Sequence, residues 1–359
     1  MRRRRVLPLW LLCAALAAPL SGAHPDAEVF ERMYREVLGF DGGYTRLDPV
    51  AGLLHSADYR RKVPWPEHPA GSFELKTNNL GFREDLPTSV KKAPGVLRVL
   101  VAGDSHTDGL VDNAEAFPNL AEADLAGRYG AGAFEVINGG VTHTGFRDYL
   151  GFYKRHRHLQ PDVFVVAVYA GNDFIEAARY LEYREGLEHS QEYVPRLTEA
   201  VGVHEGAVWQ GFNQIAYFKS APKMKGRVLR LAQTTLREIR GLCRKDGAEL
   251  LVIVLATKLE MEWDSDSERL GRLKALLGFS DDDLKLNAAL RRDLSRALRQ
   301  DGINVLDAAD APLPAKGPPL FWNMDYHLSV VGHRWLAGLL AKELSQRHDR
   351  PDAVDTHEP

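Results

Sequence analysis

Long apolar runs are missing from the body of this 359-residue chain. None there reaches eighteen residues or so, and no membrane span is expected in it. Cysteine is nearly absent, with only Cys13 and Cys243. No pair of cysteines or histidines stands at a metal-binding spacing, and nothing resembles a dinucleotide or nucleotide-phosphate loop, so no metal or other cofactor is expected. Past the amino terminus there is no basic tract to hold nucleic acid or anionic lipid, which argues against nucleic acid as a partner. Internal repeats and low-complexity tracts are also lacking. What remains is 45% hydrophobic and 26% charged, a globular balance with material for a large core.

The first residues depart from this. Met1 is followed by Arg2 to Arg5, an apolar stretch from Val6 to about Leu20, and Ser21-Gly22-Ala23. Positive charge, a short apolar run and small residues, in that order, predict a secretory signal peptide over 1–23 and a periplasmic or secreted protein. The stretch is short for a span and is interrupted by Pro8 and Pro19. Leu12 precedes Cys13 where lipidation needs a small residue. Loss of the four arginines would move the formal net charge from −3 to −7. Only Cys243 would remain, excluding an internal disulfide; it falls in an amphipathic helical pattern as a small core residue.

From Val96 onward, apolar runs alternate with helical patterns. Val96–Ala102, Phe134–Val141, Val163–Ala170, Leu250–Ala256 and the shorter Ile303–Leu306 read as buried strands. Helical patterns run over Phe117–Arg128, Phe146–His158, Lys223–Lys245, Asp283–Arg299 and Val331–Arg347. The alternation predicts a doubly wound α/β domain over 96–348 with a parallel sheet. Residues 24–95, rich in Pro and Gly with one helix near Ala27–Val37, read as an N-terminal extension laid on that domain. Residues 174–217 are irregular and suggest a lid; 349–359 read as a disordered tail. His156-Arg157-His158 is expected in solvent.

Chemistry concentrates at strand ends. Gly103-Asp104-Ser105-His106-Thr107-Asp108-Gly109 follows the first strand, where an open α/β sheet binds its ligands. The second strand ends in Asn138-Gly139-Gly140-Val141 and the third in Gly171-Asn172-Asp173, placing donors around one serine as an oxyanion hole requires. Before the last helix, Asp325 and His327 stand two apart, so that in an extended loop both would face one side. A carboxylate beside an imidazole suits a base that takes the serine proton. His106 and His333 are reserve candidates for that base.

These blocks resemble the SGNH/GDSL hydrolases: the Ser105 segment the first block, Gly140 the second, Asn172 the third, and Asp325 with His327 the last. Thr77-Asn78-Asn79-Leu80-Gly81-Phe82-Arg83 is similar to a segment before the first block in exported bacterial members. The resemblance, over roughly residues 77 to 345, implies a flavodoxin-like three-layer α/β/α fold with a five-stranded parallel sheet. It implies Ser105 as nucleophile, His327 as base, Asp325 as its partner and Asp104 as structural. The oxyanion hole would be the N–H groups of Ser105 and Gly140 with the Asn172 side chain. Many members space the last pair Asp-x-x-His; here it is Asp-x-His.

The function so implied is an exported serine esterase removing an acyl group, foremost acetyl, from a carbohydrate or related small ester. The alternative is an O-acyltransferase acting on a polysaccharide, since Ala256-Thr257-Lys258 resembles a segment of members associated with polysaccharide acylation. A lipid esterase and a silent glycan-binding module rank lower.

Overall fold

The structure, a computed structural model, describes residues 25–35, 38, 41–187, 209–262, 267–314 and 317–349. The expected signal peptide, residues 188–208 of the expected lid and the tail beyond 349 lie outside the described residues.

The first described stretch forms helix α1 (Ala27–Tyr34) and two antiparallel hairpins. β1 (Thr45–Asp48) pairs with β2 (Gly52–His55), and β3 (Arg60–Pro64) with β4 (Ser72–Lys76). The sequence pattern shows the helix but not the hairpins. These strands span only four or five residues, and β3 is largely charged and exposed, so no apolar alternation marks them.

The main sheet has β5 (Leu97–Gly103), β6 (Phe134–Gly140), β7 (Val163–Tyr169), β8 (Glu249–Leu255) and β9 (Asn304–Asp307). All are parallel, in the order β6-β5-β7-β8-β9. This is the flavodoxin-like order. Between and after the strands run α2 (Ser105–Asp108), α3 (Phe117–Tyr129), α4 (Phe146–His156), α5 (Asp173–Glu185), α6 (Trp209–Ser220), α7 (Met224–Lys245), α8 (Lys258–Met261), α9 (Ser267–Leu277), α10 (Asp281–Leu284), α11 (Leu286–Gln300) and α12 (Val330–His348).

Side-chain alternation along the strands makes three layers. Leu100, Val166 and Val252 face one way, into a core shared with α1, α4, α5, α7 and α11. Val101, Val165 and Ile253 face the other, against α3 and α12. Strands buried on both faces carry the continuous apolar runs seen in the sequence. The three-layer α/β/α fold is therefore the one the sequence implies. No described helix is long and apolar enough to cross a membrane.

Two expectations need correcting. The stretch from Phe174 to Tyr217 is not irregular at its ends, where α5 and α6 bury Phe174, Ile175, Leu181, Phe212 and Ile215. His156 is not in solvent: its ring packs against Phe82 and Phe152, and burial pushes its pKa down to about 3.

Candidate active site

The chain order reverses between β5 and β7, the place where an open α/β sheet binds its ligands at the carboxyl ends of its strands. Asp104 leaves β5 in an extended conformation and caps α2, its Oδ1 accepting the His106 N–H at 2.9 Å. Its Oδ2 accepts the Asn172 Nδ2 at 2.9 Å from the end of β7. Burial raises the Asp104 pKa to about 6, against the pull of Asn172, the His106 amide and His327. Ser105, the first residue of α2, has an N–H without an intrahelical partner.

On the opposite wall, His327 joins the two ends of a row. Its Nε2 lies 2.8 Å from Ser105 Oγ and its Nδ1 lies 2.8 Å from Asp325 Oδ2. With Nδ1–H donated to the carboxylate, Nε2 carries the lone pair that accepts the serine hydroxyl. Burial opposes a charge on His327, but Asp325, with Asp104 and Asp108 behind it, raises its pKa above the usual imidazole value. The pair does not sit in an extended loop. Asp325 Oδ1 accepts the His327 N–H at 3.0 Å, an Asx turn, and Tyr326 between them has φ 59°.

This loop is pinned from several sides. Phe321 bridges Leu328, and the Trp322 N–H donates to the His327 carbonyl at 2.8 Å. Lys258, buried just past β8, donates to Asn323 Oδ1 at 3.0 Å and Glu262 at 3.1 Å. Its ammonium stands 5.5 Å from the centre of the buried Tyr326 ring. The Ala256-Thr257-Lys258 segment thus supports the loop that carries the imidazole.

The two reserve histidines have other places. His106 is buried, with its ring stacked on Tyr169 at 3.6 Å and on His327 at 4.7 Å between centroids. His333 accepts the Phe117 N–H on Nδ1 at 3.2 Å, satisfying the start of α3, and burial lowers its pKa to about 3.

Gly140 does not take its expected place. Its N–H donates to Asn138 Oδ1 at 3.1 Å, and it is the last, buried residue of β6. A Cβ there would lie 2.2 Å from the Asp108 nitrogen, so this glycine serves the close approach of α2 to the sheet. Free donors follow it. The N–H groups of Thr142, His143 and Thr144 donate to nothing among the described residues, and His143 has φ 63° in an exposed turn. No sequence signal marks His143 beyond its distance from the strand end.

The segment before β5 holds α2 from behind. Asn78 Oδ1 accepts the N–H groups of Leu80 and Phe82, and Gly81 takes φ 83°, 2.6 Å from the His55 carbonyl at its Cβ position. This turn sends Arg83 inward, fully buried. Arg83 donates to Asp108 Oδ1 and to the Asp108 carbonyl, both at 2.8 Å, to Asn113 Oδ1 at 2.8 Å and to the Val111 carbonyl at 2.7 Å. Burial disfavours a charged Asp108, yet His55, Arg83 and the Tyr44 hydroxyl hold its pKa down at about 2.

No protein-family model and no curated protein matches the chain. Among solved structures, a catalytic mutant of an acetylxylan esterase from Geobacillus stearothermophilus is 14% identical, matched over 70% of this chain and 96% of its own, with a TM-score of 0.42. A GDSL-like lipase from Bacteroides thetaiotaomicron is 10% identical over 70% of this chain and 89% of its own, TM-score 0.38. An α/β hydrolase from the metagenome of Lake Arreo is 15% identical over 69% and 94%, TM-score 0.39.

Proposed function

We propose that this chain is an exported serine esterase of the SGNH type that removes a small acyl group, foremost acetyl, from a carbohydrate ester. The observation that carries the reading is the row Asp325–His327–Ser105, with both links at 2.8 Å. Ser105 Oγ attacks the ester carbonyl carbon as its proton passes to His327 Nε2. The tetrahedral oxyanion is met by the Ser105 N–H, the Asn172 side chain and an N–H of the Thr142–Thr144 turn. Collapse breaks the carbonyl-carbon bond to the alcohol oxygen, which takes the proton from His327. Water then attacks the acyl-serine, giving a proton to His327; release of the carboxylic acid restores Ser105. Asp325 fixes the tautomer and stabilises the transient imidazolium.

Incubation with p-nitrophenyl acetate and a serine-directed fluorophosphonate tests this. The probe should attach to Ser105, and Ser105→Ala should lose turnover by about a million-fold. A label elsewhere, or a variant that keeps its activity, refutes the nucleophile. An added acetylated oligosaccharide should lose acetate to water; transfer to an unacetylated sugar instead would make the chain a transferase.

A further inference from the structure

The hairpin β3–β4 reaches the loop that bears the base. At its tip, Glu67 Oε2 accepts the Asn323 N–H and Oε1 the Met324 N–H, each at 2.6 Å. Two successive backbone N–H groups closing on one carboxylate make a small anion-binding nest, here filled from another part of the chain. Charge-assisted bonds of this length are among the stronger ones a protein makes. They fall on the two residues that precede Asp325. Beside them His68, bonded to Glu115 at 2.9 Å, lies 6.1 Å from the Trp322 ring, and Trp65 packs with Trp322 in one apolar cluster. The tip therefore grips the loop through both polar and apolar contacts.

We infer that Glu67 is a positioning residue that acts through Asp325. By fixing the Asn323–Met324 turn it holds the Asp325 carboxylate against His327 Nδ1, so the N-terminal hairpin belongs to the catalytic apparatus. The inference rests on the reading of His327 as base. Lys258 holds the same turn independently through the Asn323 side chain, so removal of Glu67 leaves the loop attached but free to rock. A displacement of about 1 Å at a reacting group costs up to about a hundred-fold in rate.

The test compares the full chain with Glu67→Ala and Glu67→Gln by two readouts. One is kcat and KM on p-nitrophenyl acetate. The other is the NMR titration midpoint of the His327 ring, assigned against His327→Gln, which needs no turnover. His327 is faced by Asp325 from its own loop, Asp104, Asp108 and the stacked His106 from the β5 end, and by His143 and His333. Of these only Asp325 directly follows the Asn323–Met324 turn that Glu67 binds. In Glu67→Ala, kcat should fall about ten- to a hundred-fold with KM nearly unchanged, and the His327 midpoint should fall as the carboxylate loosens. Glu67→Gln keeps one acceptor oxygen and should lie between. Parent kcat and parent midpoint in both variants overturn the inference, whatever their melting temperatures. An inactive parent whose midpoint still falls in Glu67→Ala sustains the clamp and sinks the esterase reading. An active parent, labelled at Ser105, whose midpoint does not move does the reverse.

Discussion

Asp325→Asn changes one atom of the row and leaves its shape. The parent carboxylate does two things: Oδ1 accepts the His327 N–H at 3.0 Å and Oδ2 the Nδ1–H at 2.8 Å. An asparagine can serve only one of them well. If its oxygen keeps the backbone bond, its NH2 faces Nδ1, the imidazole proton moves to Nε2, and the lone pair opposite Ser105 is gone. If the amide turns over, two N–H donors meet at the backbone, at a cost of about 1–3 kcal/mol for the unmade bond. That alone removes one to two decades of competent enzyme. Loss of the carboxylate beside the developing imidazolium adds to it, and the total should approach ten-thousand-fold, about 5.5 kcal/mol. The sign of the pH effect is separate. Activity needs neutral His327 and rises with pH through its pKa, which Asp325 raises above about 6.5 in the parent. In the variant the midpoint should fall. Profiles of kcat/KM on p-nitrophenyl acetate between about pH 5 and 9 measure both. A loss under about ten-fold with an unmoved midpoint would mean that Asp325 does not orient the base.

Asn172→Ala should cut kcat by about a hundred- to a thousand-fold with KM nearly unchanged, the loss of one oxyanion donor; a raised KM with parent kcat would make Asn172 a substrate-binding group instead. Gly140→Ala should force α2 off the sheet, because the added carbon meets backbone at Thr107 and Asp108. Stability should drop by about 1–3 kcal/mol and fluorophosphonate labelling of Ser105 should slow; parent values for both would show that the strand end yields freely. His156→Phe keeps an aromatic ring against Phe82 and Phe152 but cannot titrate. The folded pKa of His156, about 3, lies below its unfolded value, so its stabilisation is complete above about pH 6.5 and is lost as pH falls toward 3. Between pH 7 and 5 the parent should lose about 2 kcal/mol through this group that the variant keeps, read from urea unfolding at the two pH values.

How far the sequence reveals these features depends on where their causes lie. The five main strands are visible because burial on both faces writes continuous apolar runs, and their observed ends fall within two residues of the expected ones. The α5 helix carries Phe174, Ala177, Ala178 and Leu181 at helical spacing and was missed all the same, whereas Gly211, Asn213 and Gln214 dilute the apolar pattern of α6. At the site, Ser105 and Asn172 could be proposed because a strand end tells where its next few residues emerge, and Asp325 with His327 because a carboxylate and an imidazole stand two apart just before the last helix. Gly140 shows the limit of that reasoning. A glycine at a strand end can offer an N–H or admit a neighbouring backbone, and only the passage of α2 within 2.2 Å of its Cβ position decides between them. Glu67 left no signal, since a loop carboxylate looks the same in sequence whether or not it caps a distant turn.

The two-residue spacing of Asp325 and His327 has a physical cost that explains how the loop is built. The Asx turn that points both side chains along one row puts Tyr326 at φ 59°, a conformation that costs a residue with a Cβ about 1–2 kcal/mol. Such a conformation persists only where its surroundings over-determine it. Here the Tyr326 ring is buried in a cluster with Phe212 and Phe279, beneath the Lys258 ammonium. The residues before it are tied to Glu67 and Lys258, and the two ends of the loop are joined by the Phe321–Leu328 bridge. The contacts come from the N-terminal hairpin, from just past the end of β8, from α6 and from Phe279 before α10. A shorter Asp–His spacing is thus tolerated because separate parts of the chain bury the Tyr326 ring and tie down the residues before it.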